Sequence, residues 1–377
     1  MTSQRALPEK QRPSSINREN NMNMNLLVRM GLVTAFCAGA SAAAAQDLPT
    51  HEFKVIGTWG NLSSWQNVEA PFWDETIGEA SNGSIGGDAI PITEAGLKGG
   101  EVMRLLNLGV FEIAHGLGSY VASENPAIEG ADLSSIASDF ETMRAIADAY
   151  EPVMDKLFRE TYGATIVSLH PWPASMIYCR DEVASIADLQ GRKVRVHSAT
   201  LGDFVEGAGG VTVTLPFAEV VPALEKGVAD CAITDPVSAY KASWHEVIDH
   251  VFALPVGYSI TFTAVNADLW DGLDEASREV MQTAFDEMSA KGWRIAEEQQ
   301  DMGVGCLTGT VEACTLGGTP GTATLHLPQD SDTAARQAIL DDFVLKRWAA
   351  RCGTECVATW NATAGAAAGL EAPASEG

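Results

Sequence analysis

Between residues 50 and 300 the chain alternates between two hydrophobic periods. Short apolar or alternating runs predict strands at Phe53–Gly57, in "SIGGDAIPITEAG", in "FEIAHGLGSYVA" and in "KVRV". Between them, runs with apolar residues three or four apart predict helices. One is rich in Glu and Trp after a Gly/Asn/Ser loop. A second, "GGEVMRLLNLGV", is stopped by Gly109, and a third, "DFETMRAIADAYEPVMDKLFRETYG", by Gly163. Strand, helix, strand in succession is the signature of an α/β fold with a largely parallel sheet.

The segment "ATIVSLHPWPASMIYCR" reads as two strands broken by a rigid His170-Pro171-Trp172-Pro173 corner, which marks a domain boundary. Beyond it, Ser185 and Asp188 stand in capping-box-like spacing before the "KVRV" strand. "LGDFVEGAGG" is a glycine-stopped helix, "VTVTLPF" a strand, and "AEVVPALEKGVADCAITDP" a helix, a stop at Gly227 and a strand. Pro222 requires that helix to start late or kink. A long amphipathic helix up to about residue 300 carries Val280, Ala284, Phe285 and Met288 on one stripe. After 301 the reading is Gly/Thr-rich loops, one more helix near 333–351, and a low-complexity tail, 360–377, expected to be disordered.

The first 45 residues read as a leader. Arg18 and Arg29 flank an apolar stretch from Met30, too short for a membrane span, and Ala43-Ala44-Ala45 gives a signal-peptidase pattern. Cleavage near Ala45 would place the protein in the periplasm and move its net charge from −26 to −29. That charge argues against nucleic-acid partners and makes any cation in a site stand out. Six cysteines remain, at 179, 231, 306, 314, 352 and 356. In an oxidising compartment they predict disulfides, with proximity favouring 306 with 314 and 352 with 356. A metal site is the alternative, without the CxxC and histidine spacing that would support it.

Catalytic signatures are missing: the chain has no G-x-S-x-G elbow, H-E-x-x-H, EF-hand loop or P-loop. No enzyme activity and no cofactor are expected. The residue that stands out is Arg195, near the carboxyl end of a short apolar strand, where open α/β sheets place their ligands. A guanidinium there can hold a carboxylate through two parallel hydrogen bonds. An internal salt bridge to one of the acids is the other reading, and spacing alone does not choose between them. Asp230 and Asp235 flank the next strand, and Asp235-Pro236 also reads as a simple turn start.

Residues 185–236 resemble the solute-binding proteins of TRAP transporters. The segments carrying the resemblance are "ADLQGRKVRV" and "DFVEGAGGVTVTLPFAEVVPALEKGVAD", with "GLKGGEVMRLLNLGVFEIAHG" in agreement, over roughly residues 50–300. The resemblance implies an α/β fold of two lobes joined by a hinge, a ligand cleft between them, and a long helix spanning both. Lobe I would comprise 46–172 and about 262–300, and lobe II 173–261 and about 301–350 with the C-terminal helices. It also implies that Arg195 clamps the carboxylate of an organic acid and that Phe217 is the pocket aromatic. The loop "DCAITDP" departs from the family by one added residue around Thr234 and Asp235. Ser175 falls where sugar-acid binders carry a second basic residue, so a single guanidinium is expected. Trp59, Asn61, Tyr120 and Tyr258 sit in loops that would face the cleft, suiting an aromatic or apolar monocarboxylate. Trp172, between prolines, is expected to pack the lobes. The implied partners are the small and large TRAP membrane subunits; a ligand-sensing component for a membrane receptor is the second reading, and an exported enzyme the third.

Overall fold

The computed structural model describes residues 48–310 and 314–374; the leader and its cleavage point lie outside them. In chain order the strands are β1 (His51–Gly57), β2 (Ile85–Pro91), β3 (Ile113–Leu117), β4 (Ala164–Pro171), β5 (Ser175–Cys179) and β6 (Lys193–Val196). They continue with β7 (Val211–Thr214), β8 (Cys231–Thr234), β9 (His250–Gly257), β10 (Ile260–Asn266) and β11 (Thr324–His326).

They form two sheets, one per lobe. Lobe I has the order β2-β1-β3-β10-β4, and lobe II the order β11-β9-β5-β8-β6-β7. Within lobe I, β1 is parallel to β2 and β3. Within lobe II, β6 is parallel to β7 and β8. The last strand of each parallel set is bordered by an antiparallel one, β10 in lobe I and β5 in lobe II. That arrangement follows from the connections: strands that leave one lobe for the other return running the opposite way.

The chain crosses between sheets at Trp172–Ala174 and again at Tyr258–Ser259. The two crossings are bonded to each other, the N–H of Trp172 donating to the carbonyl of Ser259 at 2.9 Å. A third element joins the lobes, the helix Glu275–Thr308. Its Ser289 hydroxyl donates to the Leu169 carbonyl of β4 at 2.5 Å. Further along, Gly303 lies against the backbone of Pro236 and Val237 in lobe II, where a Cβ would come within 2.6 Å.

This helix runs eight residues beyond the position where glycines and threonines were expected to end it. Gly303 and Gly305 are buried in its interior, and absence of a side chain is what allows the close crossing. Pro222 is accommodated by a late start: a 3-10 turn at Phe217–Glu219 precedes the helix Val220–Glu225, so the proline falls in the first turn, where no N–H partner is lost. Ser185 and Asp188 do form a capping box, the Ser185 N–H donating to the Asp188 carboxylate at 2.9 Å.

The tail is the clearest departure from expectation. Residues Asn361–Gly365 and Ala366–Ala368 are helical turns, not structureless chain. Trp360 is fully buried, and its indole N–H donates to the Gly130 carbonyl of lobe I at 2.8 Å. A run of small residues behind a docked tryptophan can lie close on the body of the protein, which composition alone does not reveal. Upstream, the helix Leu345–Cys352 touches both lobes: Trp348 donates to the Pro126 carbonyl at 2.9 Å, and Arg351 pairs with Asp203 at 2.6 Å. The helix Leu345–Cys352 thus contacts residues of both lobes.

All six cysteines among the described residues are paired: Cys179 with Cys231, Cys306 with Cys314, and Cys352 with Cys356. The first pair faces across the antiparallel β5–β8 ladder.

Candidate functional site

The carboxyl ends of β1, β3, β6 and β8 point toward the space between the lobes. Each delivers a side chain there. Thr58, at the end of β1, is held by a buried carboxylate: Glu69 accepts its N–H and its hydroxyl, both at 2.7 Å, and the Ser64 hydroxyl at the same distance. This clamp orients the loop carrying Trp59. Tyr120 rises from a short helix after β3, and Gly99 packs under it. At Gly99 the backbone has φ +106° and a Cβ would come within 2.8 Å of the Tyr120 ring, so two constraints select glycine.

Trp59 is the centre of an aromatic cluster. Tyr120, Phe217 and Trp172 meet it edge-on at centroid distances of 5.2, 6.1 and 6.5 Å. These four rings wall a narrow cavity of about 30 Å³ between the lobes. Its polar lining comes from Ser175, Thr234, Asp235, His197 and Ser259. Asp235 also caps the following helix, accepting the Ser238 N–H at 2.8 Å, and burial pushes its carboxyl up to about 6. Asp235 thus both starts the turn that its Asp-Pro pair implied and lines the cavity.

Arg195 lies behind this wall and not on the cavity surface. Its guanidinium is fully buried, 5.9 Å from the centre of the Phe217 ring. It donates to the Leu215 carbonyl through Nε and Nη2 at 3.0 and 2.8 Å, and to the Ile233 carbonyl through Nη1 at 3.2 Å. A fourth contact, 3.4 Å from Nη2, is the Tyr120 hydroxyl of the opposite lobe. A guanidinium has five N–H groups, so one is left over. No ion pair among the described residues includes Arg195. The internal salt bridge that competed for this residue is not formed.

Two expected residues stand elsewhere. Asn61 is exposed and off the cavity, because the loop folds back through a Leu62 N–H to Trp59 carbonyl bond at 2.9 Å that turns Leu62 inward instead. Tyr258 packs on Phe140 at 5.0 Å and lines a neighbouring polar cavity. Sequence reasoning missed His197 and Ser259, and assigned Trp172 to packing. His197 was legible: two residues after Arg195 and just past the end of β6, it continues that face of the strand. Burial, and secondarily the charge of Arg195, lowers its pKa to about 3, so the ring is neutral. It stacks on Tyr120 at 5.9 Å and meets the Ser259 hydroxyl at 3.3 Å.

The sequence profile of DctP, bacterial extracellular solute-binding protein, family 7, matches residues 56–306. The chain belongs to this family. Among relatives of family 7, the C4-dicarboxylate-binding periplasmic protein DctP of Rhodobacter capsulatus is 24% identical over 290 residues, 76% of this chain and 83% of that one. The crystal structure of DctP7, a Bordetella pertussis extracytoplasmic solute receptor binding pyroglutamic acid, superposes with a TM-score of 0.72 at 21% identity, covering 83% of this chain and all of that one. A TRAP periplasmic solute-binding protein from Desulfovibrio salexigens with bound orotic acid gives 0.75 at 17% identity, covering 85% and 99%. The two-lobed architecture is thus the one shared by family 7 receptors.

Proposed function

We propose that this protein captures a compact organic acid between its lobes in the periplasm and delivers it to TRAP membrane subunits. The observation carrying the reading is Arg195: a fully buried guanidinium, bonded to neutral groups alone. Burying a charge is costly unless an opposite charge joins it, and a carboxylate entering beside it supplies one. Opening the lobes separates the Tyr120 hydroxyl from Arg195, which frees an N–H next to the remaining one for a two-pronged contact. The four rings around the cavity suit an apolar or aromatic body on that carboxylate. The acids carried by the relatives, pyroglutamic, orotic and C4-dicarboxylic, share the carboxyl group. Thr234, Asp235 and Ser175 line the cavity opposite the rings and would set orientation.

A thermal-shift screen of residues 46 onward against aliphatic, sugar, aromatic and cyclic acids tests this. Mass action predicts a rise in midpoint with at least one acid and none with its amide. Arg195→Ala is expected to remove the shift. A panel without any shift, or a shift that survives Arg195→Ala, overturns the reading.

A further inference from the structure

The cavity walled by the four rings carries one carboxyl group on its surface and no lysine or arginine. That carboxyl belongs to Asp235, the first residue after β8, which is 4% exposed. Its Oδ1 accepts the Ser238 N–H at 2.8 Å. No ion pair among the described residues includes it. Two buried hydroxyls of its neighbourhood have no partner among the described residues either. One is Ser238, on the wall of the same cavity, and the other is Tyr178, whose ionisation the charge of Asp235 opposes.

Charge decides what this site does when an anion enters. Arg195, behind Phe217, and an ionised Asp235 balance each other. An added carboxylate leaves one negative charge in excess among buried side chains, where an uncompensated charge is costly. No other group around Asp235 can offset it. His197 is neutral, its ring lowered to about 3 by burial and by Arg195. Tyr120 and Tyr178 offer hydroxyls only. The helix Glu275–Thr308 meets Pro236 through Gly303, which brings no side chain. Lys241 lies at the far end of the helix Pro236–Lys241, bonded to Gln66. Asp235 is the group that changes state most readily, since burial has already raised its carboxyl to about 6.

We propose that capture of an anionic ligand is coupled to the uptake of one proton by Asp235. The proton comes from solvent, sits on the oxygen not bonded to Ser238, and returns to solvent when the ligand leaves. It turns a group that would repel an anion into a hydrogen-bond donor facing it. Asp235 thereby favours ligands that present an anion or a neutral acceptor to β8, and makes their capture stronger at lower pH. The inference rests on the reading of the cleft as an acid-binding site, without depending on which acid it holds.

Calorimetric titrations in phosphate and in Tris, buffers with different ionisation heats, count the protons taken up. The probes are the acids of the screening panel that bind, beginning with pyroglutamate and orotate, which stay single anions from pH 5 to pH 8. With the carboxyl at about 6 before binding, the expected uptake is about nine-tenths of a proton at pH 7 and about one-tenth at pH 5. Affinity is expected to fall by up to about tenfold from pH 7 to pH 8. Asp235→Asn keeps a capping side chain but cannot titrate, and is expected to abolish the uptake; Asp235→Ser, which also caps, takes its place if the asparagine variant folds poorly. His197→Gln is expected to leave the uptake in place. An acid that binds with no uptake overturns the inference while leaving the anchor intact, because Asp235 then stays ionised beside the ligand. Uptake that survives replacement of Asp235 overturns it too, as the proton then belongs to another group. If no acid of the panel binds, the anchor and this inference fail together.

Discussion

Glu129 shows how strongly a single side chain here depends on its surroundings. It is 2% exposed, and its Oε1 accepts the N–H of Ala199 at 3.1 Å, the first residue of the helix Ala199–Gly207. Lobe I thus supplies a cap to a lobe II helix. Burial raises its carboxyl to about 7, against the nearby Arg351 and the helix N–H groups, which favour the ion; Asp203 adds to the rise. A folded-state pKa above the unfolded one confers relative stability at low pH that is lost as pH rises, here across the window from about 4.5 to about 7. Glu129→Gln should therefore gain stability relative to the parent between pH 5 and pH 8, by on the order of 2–3 kcal/mol. Paired denaturant titrations at the two pH values measure it; a constant difference between the proteins would refute the assignment. The parent's own profile is flattened because neutral, buried His115, His170 and His197, with pKa values lowered to about 3, 4 and 3, act in the opposite direction. At this scale the sequence was partly legible. Arg195 stood out because a cation on a short apolar strand lacks company, whereas Glu129 sits in the 3-10 turn Pro126–Ala131, without apolar periodicity, and acquires its meaning only from burial.

Among the elements, the helix Glu275–Thr308 ties local sequence to architecture most directly. Of its predicted stripe, Ala284, Phe285 and Met288 are buried against lobe I as the spacing implied, and Val280 is half-buried at the edge. The same spacing could not locate its end, because Gly303 lowers helix propensity yet is required where the helix meets Pro236. Gly303→Ala should destabilise by about 1–3 kcal/mol despite alanine's better propensity, since the new methyl group would strike backbone and not a movable side chain. Gly78, in the helix Ile77–Ala80, has open space at its Cβ, and Gly78→Ala should be neutral or stabilising by up to about 1 kcal/mol. Chemical denaturation of the two variants checks both signs, and equal effects would rule out the close-crossing argument. The strands and glycine stops were readable because their signals are local. Ends set by long-range packing, such as the tail behind Trp360, were not.

For the molecule as a whole, the lobes are held together at the mouth of the cleft as well as at the hinge. Lys98 of lobe I pairs with Glu219 of lobe II at 2.8 Å, with both side chains largely in solvent, at 63% and 45% exposure. Such a pair contributes less than about 1 kcal/mol to folding. Its position across the opening gives it a kinetic role, since it must break before the lobes part. Lys98→Ala should leave the unfolding midpoint nearly unchanged while speeding ligand release several-fold. Stopped-flow tryptophan fluorescence on the complex with the acid found in the screen reads the rate, and an unaltered release rate would remove the pair from the closing mechanism. Two lobes followed from the family resemblance, with the His170–Pro173 corner as a boundary; that they are clasped at the mouth did not, since the partners lie 121 residues apart.

The docking of the C-terminal segment also fixes an order of events. Trp348 and Trp360 bond to carbonyls of lobe I that precede them by 222 and 230 residues. Contacts over such separations form slowly because a long loop must close first. The first strands to emerge during synthesis therefore belong to a lobe that waits for residues more than 200 positions later. Lobe I stays unfinished until Trp348 and Trp360 arrive, and any chain interrupted shortly before Trp348 leaves the 3-10 turn Pro126–Ala131 uncovered.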